Sequence, residues 1–194
     1  MPEYPKCFAK FKKSSIEKMK ELIHESKEIE HGAILCMEKG TKKINLRNTC
    51  KGTECDVEIE KGCPNGEIEF GEFHTHPQTP LPAHYPDDIP SSGDWLNWIT
   101  NEYNLSCLGT KNVLNCYQPK YDPVFIDGPR PENIDMMNKI GHTVTKINTC
   151  EEFIGNHPEP KDQKREPVLK NLMRYTKDLE KYYYRFSPEE CIER

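Results

Sequence analysis

Glu67-Ile68-Glu69-Phe70-Gly71-Glu72-Phe73-His74-Thr75-His76-Pro77 is the stretch of this chain that decides how the rest is read. Pro64-Asn65-Gly66 supplies a turn before it, and the alternation of Glu67-Ile68-Glu69-Phe70 predicts a strand running into the histidines. Side chains two apart on a strand share a face, so His74 and His76 at its end can aim both imidazoles at one point. Downstream, Pro90-Ser91-Ser92-Gly93-Asp94 adds a short carboxylate. Two imidazole nitrogens and one carboxylate oxygen, with a fourth position open, make the donor set of a catalytic rather than a structural zinc site.

Working outward, Gly32-Ala33-Ile34-Leu35-Cys36-Met37 is an unbroken apolar run that reads as a strand buried on both faces. Before it, Cys7-Phe8-Ala9-Lys10-Phe11 predicts a short strand. Ile16, Met19, Leu22 and Ile23 then recur at helical spacing behind an N-cap at Ser14 or Ser15, for a helix to about residue 27. Ile44-Asn45-Leu46 and Val57-Glu58-Ile59-Glu60 are further strand candidates. After the histidines, Pro77, Pro80, Pro82, Pro86 and Pro90 exclude both a regular helix and a central strand, so residues 77–90 read as an extended loop. Ser91 or Ser92 stands where an N-cap belongs. Trp95, Leu96, Trp98 and Ile99 begin an apolar helical pattern with Asp94 in its first turn. Residues 105–108 and 113–117 read as two more strands. Past a proline-marked connection, residues 133–140 predict a short helix. Residues 168–186 predict a final amphipathic helix whose stripe runs from Leu169 through Leu172, Leu179 and Tyr183 to Phe186 and serves packing.

A chain of 194 residues accommodates one well-buried core plus an appendage, here residues 1–125 and a C-terminal helical extension over 126–194. The formal net charge of -5 argues against a dedicated nucleic-acid binder, and the short basic runs read as solvated faces. No stretch approaches the about 18 to 20 apolar residues that span a bilayer, which points away from a membrane role. The N-terminal residues carry no apolar export segment, so a cytoplasmic protein with reduced thiols is the expectation. On that view Cys36, Cys107 and Cys116, set among apolar residues, are small core hydrophobes. Cys50, Cys55 and Cys63 lie instead in a polar stretch. A second metal site or a disulfide there is the alternative, although their spacing matches no paired knuckle.

Three pieces in order, Glu30-His31-Gly32-Ala33-Ile34-Leu35, Gly71-Glu72-Phe73-His74-Thr75-His76-Pro77 and Pro90-Ser91-Ser92-Gly93-Asp94, resemble the JAMM or MPN-plus (JAB-type) zinc metalloproteases. Ser106-Cys107-Leu108-Gly109-Thr110 also looks like that family's core, and the resemblance covers residues 7–120. It implies an α/β fold of the MPN, cytidine-deaminase-like kind: a mixed curved sheet flanked by helices, followed here by the C-terminal helical extension. It further implies that His74, His76 and Asp94 hold Zn2+. Glu30 would act as the general base, passing a proton from the attacking water to the leaving amine, and Ser91 would donate to the oxyanion. Each role is physically sound: a nearby carboxylate can move the proton, and a hydroxyl donor stabilises developing charge. Glu28, two residues from Glu30, competes as the base, but the register Glu30-His31-Gly32 ahead of the apolar run favours Glu30.

The resemblance implies cleavage of a peptide or isopeptide bond at the C-terminus of ubiquitin or a ubiquitin-like or sulfur-carrier modifier. The modifier's tail would lie extended along a sheet edge. Residues 78–90 and the Cys50 to Cys63 stretch are expected to select the substrate. The competing class is a non-catalytic MPN-type binding or scaffold module, which usually lacks one or more of these ligands. One departure bears on the third ligand. Thirteen residues separate Pro77 from Ser91, and the usual family spacing lands on Asp87, with His84 in place of the serine. Asp94 is preferred because it alone has a serine three residues before it, a proline before that serine, and an apolar helix after it.

Overall fold

The computed structural model describes residues 3–52, 62–77, 86, 88–121, 131–159 and 162–193. The apolar run after Glu30 forms β2 (His31–Glu38), buried at every position but Glu38. It lies inside the sheet, antiparallel to β3 (Lys43–Lys51) on one side and to β4 (Glu67–Thr75) on the other. Beyond β4 come β5 (Leu105–Gly109), parallel to it, and β6 (Leu114–Pro119), antiparallel to β5. A two-residue β1 (Lys10–Phe11) flanks β3 and β7 (Tyr183–Phe186) flanks β6. Among the described residues this is a mixed seven-stranded sheet of order β1-β3-β2-β4-β5-β6-β7.

Helices cover both faces. α1 (Lys13–Glu25) lays Ile16, Met19 and Leu22 onto Ala33, Leu35, Ile44 and Phe73. α2 (Ser92–Thr100), α3 (Pro131–Asn156) and α4 (Arg165–Leu179) cover the other face, where Trp95, Trp98, Ile140, Ile147, Leu172 and Leu179 join Leu108 and Tyr117. Trp95 has no exposed surface and meets Trp98, Tyr117 and Tyr183 edge-on, with ring centroids 5.1, 5.4 and 5.0 Å away. Such pairs add about 0.5–1.5 kcal/mol each beyond area burial, and those to Tyr117 and Tyr183 seat α2 on β6 and β7. No helix among the described residues is long and apolar enough to cross a membrane.

β4 is irregular in a way that matters for the histidines. Its pairing with β2 shifts register between Leu35 and Cys36: Leu35 faces Gly71 and Cys36 faces Glu69, leaving Phe70 as an extra residue. Strict alternation would put Phe70 on the face of His74. The bulge reverses it, and Phe70 joins Phe73 in the α1-side core. Gly71 is obligatory at this bend, because a Cβ there would sit 1.5 Å from the Leu105 carbonyl oxygen of β5.

Several expectations need correcting. The helix expected over 168–186 is two elements: α4 ends at Leu179, and β7 then enters the sheet. Tyr183 packs with the α2–α4 cluster and Phe186 with the α1 cluster, so residues three apart face opposite ways, as a strand requires and a helix forbids. The short helix expected over 133–140 is the 26-residue α3. α1 takes Lys12 rather than a serine as N-cap, because the Ser15 hydroxyl donates instead to the Ile44 carbonyl at 2.9 Å. The strand expected at 57–60 and most of the loop expected at 77–90 lie outside the described residues.

The reduced-thiol expectation is also overturned. Cys7–Cys191, Cys36–Cys63 and Cys107–Cys116 are disulfides and Cys50 is disulfide-bonded, while Cys150 is a free, buried thiol. Apolar neighbours report only that a cysteine is buried. Cys107 and Cys116 stand directly opposite each other on β5 and β6, which sequence spacing does not reveal. Paired cysteines go with an oxidising environment, so they remove the thiol argument for a cytoplasmic location. Cys7–Cys191 spans a sequence separation of 184 residues, a closure worth about 5 kcal/mol by chain entropy.

Candidate metal centre

The bulge at Phe70 sets the face of everything after it. Phe73 and Thr75 point into the α1 side, and Glu72 and His74 lie on the side of α2. The strand ends at Thr75, and the His76 N–H still donates to the Gly109 carbonyl at 2.9 Å, which keeps the second imidazole beside β5. α2 begins opposite them. Ser91 is its N-cap, with the Asp94 N–H donating to Ser91 Oγ at 3.1 Å and the Ser91 N–H donating to Asp94 Oδ2 at 2.7 Å. This reciprocal cap fixes the carboxylate in the first turn, where the positive end of the helix dipole also favours it. The Ser91 hydroxyl donates to the same Oδ2 at 2.9 Å.

Asp94 thereby reaches both histidines. Its Oδ1 is 3.1 Å from His74 Nε2 and its Oδ2 is 3.3 Å from His76 Nε2. Ligand atoms of His74, His76 and Asp94 all lie within 4.8 Å of one another, close enough to share one cation. Burial opposes a charge on His74, yet the adjacent Asp94 carboxylate outweighs it and raises its pKa well above the usual histidine value. Burial likewise opposes the charge on Asp94, and His74 and His76 overcome it, holding the carboxyl well below its usual range. The three side chains together favour positive charge between them, whether proton or metal. His74 Nε2 is buried and makes no hydrogen bond among the described residues, despite its closeness to Asp94. An unmade bond of this kind costs about 1–3 kcal/mol. A cation held by this two-imidazole, one-carboxylate set would relieve that cost.

The remaining predicted residues fall around this group. Glu30 is exposed and immediately precedes β2; because Gly32 pairs with His74, Glu30 stands level with His76. The Gly52 N–H donates to its carbonyl at 2.7 Å. Glu28 is exposed as well. His84 and Asp87 lie outside the described residues, and so do most of residues 78–90 and Cys55. His31 turns away from the site, buried, with Nε2 3.8 Å from Glu25 of α1.

Three residues that sequence reasoning passed over hold the centre together. Thr75, between the two histidines, accepts the His31 N–H at 2.8 Å and donates to Ser26 Oγ at 2.7 Å. It thus ties the start of β2, next to Glu30, to the ligand strand. Glu151 of α3 accepts the Ser92 N–H at 2.9 Å and also the Ser92 hydroxyl, so the C-terminal part of the chain anchors the first turn of α2. Glu72 lies 3.4 Å from His74 Nδ1. Its signal was legible, since i and i+2 share a strand face; the contacts of Glu151 have no local signature.

No protein-family model matches the chain, and neither does any curated protein. Among solved structures, the chain is similar to a JAB1/MPN domain protein from Archaeoglobus fulgidus. The two share 19% identity and a TM-score of 0.40, over 62% of this chain and 99% of that one.

Proposed function

We propose that this protein is a zinc-dependent metallopeptidase of the JAMM type that hydrolyses a peptide or isopeptide bond. The observation that carries the reading is the convergence of His74, His76 and Asp94 from two separate elements onto one cation-sized space. Zinc there supplies Lewis-acid polarisation of a carbonyl and acidification of water near neutral pH. The rest falls to this chain's side chains. Glu30, level with His76 and open to solvent, accepts a proton from the attacking water and returns it to the leaving amine. Ser91, already at the ligand carboxylate, can turn its hydroxyl from Asp94 Oδ2 towards the developing oxyanion, since the proton of a hydroxyl rotates freely.

The substrate class we favour is the C-terminal tail of ubiquitin or of a ubiquitin-like or sulfur-carrier modifier. β3 offers the edge for it: β1 pairs only with Lys43 and Ile44, leaving the β3 edge beyond them without a strand among the described residues. The test combines metal analysis with cleavage of ubiquitin-like fusions by wild type and Glu30→Gln. Zinc in both proteins with cleavage by the wild type alone is the expected result. Wild-type protein that takes up no zinc overturns the reading. Zinc uptake without cleavage of any fusion leaves a metal-binding scaffold module in place of an enzyme.

A further inference from the structure

We propose that Glu72 is a positioning residue for the metal centre, fixing the tautomer and the aim of His74; this rests on the metal reading above. His74 is flanked by carboxylates on both ring nitrogens. Asp94 Oδ1 lies 3.1 Å from Nε2, on the ligand side, and Glu72 Oε1 lies 3.4 Å from Nδ1, on the far side. A neutral imidazole carries one N–H and one lone pair. With a cation on the Asp94 side taking the Nε2 lone pair, the Glu72 carboxylate beside Nδ1 holds the hydrogen on that atom and fixes the tautomer.

Glu72 is itself held. Trp98 Nε1 donates to its Oε1 at 2.5 Å and Asn97 Nδ2 donates to its Oε2 at 3.1 Å, both from α2. The side chains of Glu72 and His74 are only 15% and 17% exposed, so neither turns freely in water. Among the described residues, no lysine or arginine forms an ion pair with Glu72, and its ionic partner is His74. The same helix therefore supplies a ligand, Asp94, and the clamp on the carboxylate that orients another ligand. Carboxylates behind a metal-binding histidine raise its basicity, and their loss typically costs 10–100-fold in metal affinity.

A purely structural Glu72 would only join α2 to β4, and the test separates the two roles. Zinc affinity is measured by competition with a chromophoric chelator for wild type, Glu72→Ala, Glu72→Gln and Asp94→Ala, alongside thermal unfolding of each metal-free protein. We expect Glu72→Ala to bind zinc about 10–100-fold more weakly. Glu72→Gln, which keeps an acceptor oxygen for Nδ1–H, should recover most of the loss. Unchanged zinc affinity in Glu72→Ala, with a lowered melting temperature, overturns the proposal and leaves the metal site standing. No zinc binding by the wild type, or equal binding by Asp94→Ala, overturns the metal reading instead, and this inference falls with it. If Glu72→Ala does not fold, Glu72→Asp takes its place. It keeps the charge but withdraws it from Nδ1, and a loss of about tenfold supports the role while none overturns it.

Discussion

The two faces of β4 differ in what holds them and in what they leave open. On the α1 side, Phe73 and Thr75 are 1% and 0% exposed, packed against a helix or closed in a hydrogen-bond chain. On the α2 side, Glu72, His74 and His76 keep 15%, 17% and 10% of their side-chain surface, and they are held by polar contacts, with the Trp98 ring beside His74. One strand thus divides scaffold from chemistry by alternation alone, with the bulge at Phe70 deciding which is which. The contrast implies that substitutions on the first face cost stability, and substitutions on the second cost metal while the fold survives.

The sharpest way to break that comparison is Asp94→Ala, which should abolish zinc binding while circular dichroism stays that of the wild type; Asp87→Ala should leave zinc bound. Retained zinc in Asp94→Ala, or lost zinc in Asp87→Ala, would move the third ligand into the preceding loop. Phe73→Ala should destabilise by about 3–5 kcal/mol, read by chemical denaturation, with any protein that remains folded still taking up zinc. Thr75→Val tests the border between the faces. The methyl fills the hydroxyl's space but leaves the His31 N–H without its acceptor, while Ser26 Oγ keeps its bond to the Ile29 carbonyl, for a loss of about 1–3 kcal/mol. Because the same contact ties down the residue after Glu30, turnover should fall further than zinc affinity. A variant that loses zinc before it loses activity would contradict that assignment.

How much was legible follows from how far each signal reaches along the chain. The two histidines and the serine-capped Asp94 could be read because each lies in a short segment whose geometry is local: two residues of strand, one turn of helix. β2 was legible from its unbroken apolar run. The side that Phe70 takes was not legible, because a bulge depends on the neighbouring strand, and here on the space that Gly71 leaves at Leu105. Tyr183 and Phe186 fitted a helical stripe as well as they fit two sides of a strand. Only their opposite partners, one in each core, distinguish the two. The cysteines were the least legible, since pairing joins residues as far apart as Cys7 and Cys191.

That last pair carries a consequence of its own. Cys191 is bonded to Cys7, and close by the Glu193 N–H donates to the Phe11 carbonyl at 2.9 Å. Everything between residues 7 and 191 is therefore a covalent ring. A single proteolytic cut anywhere within it yields two chains still joined by that disulfide and heavier together by one water, which separate on a gel only after reduction.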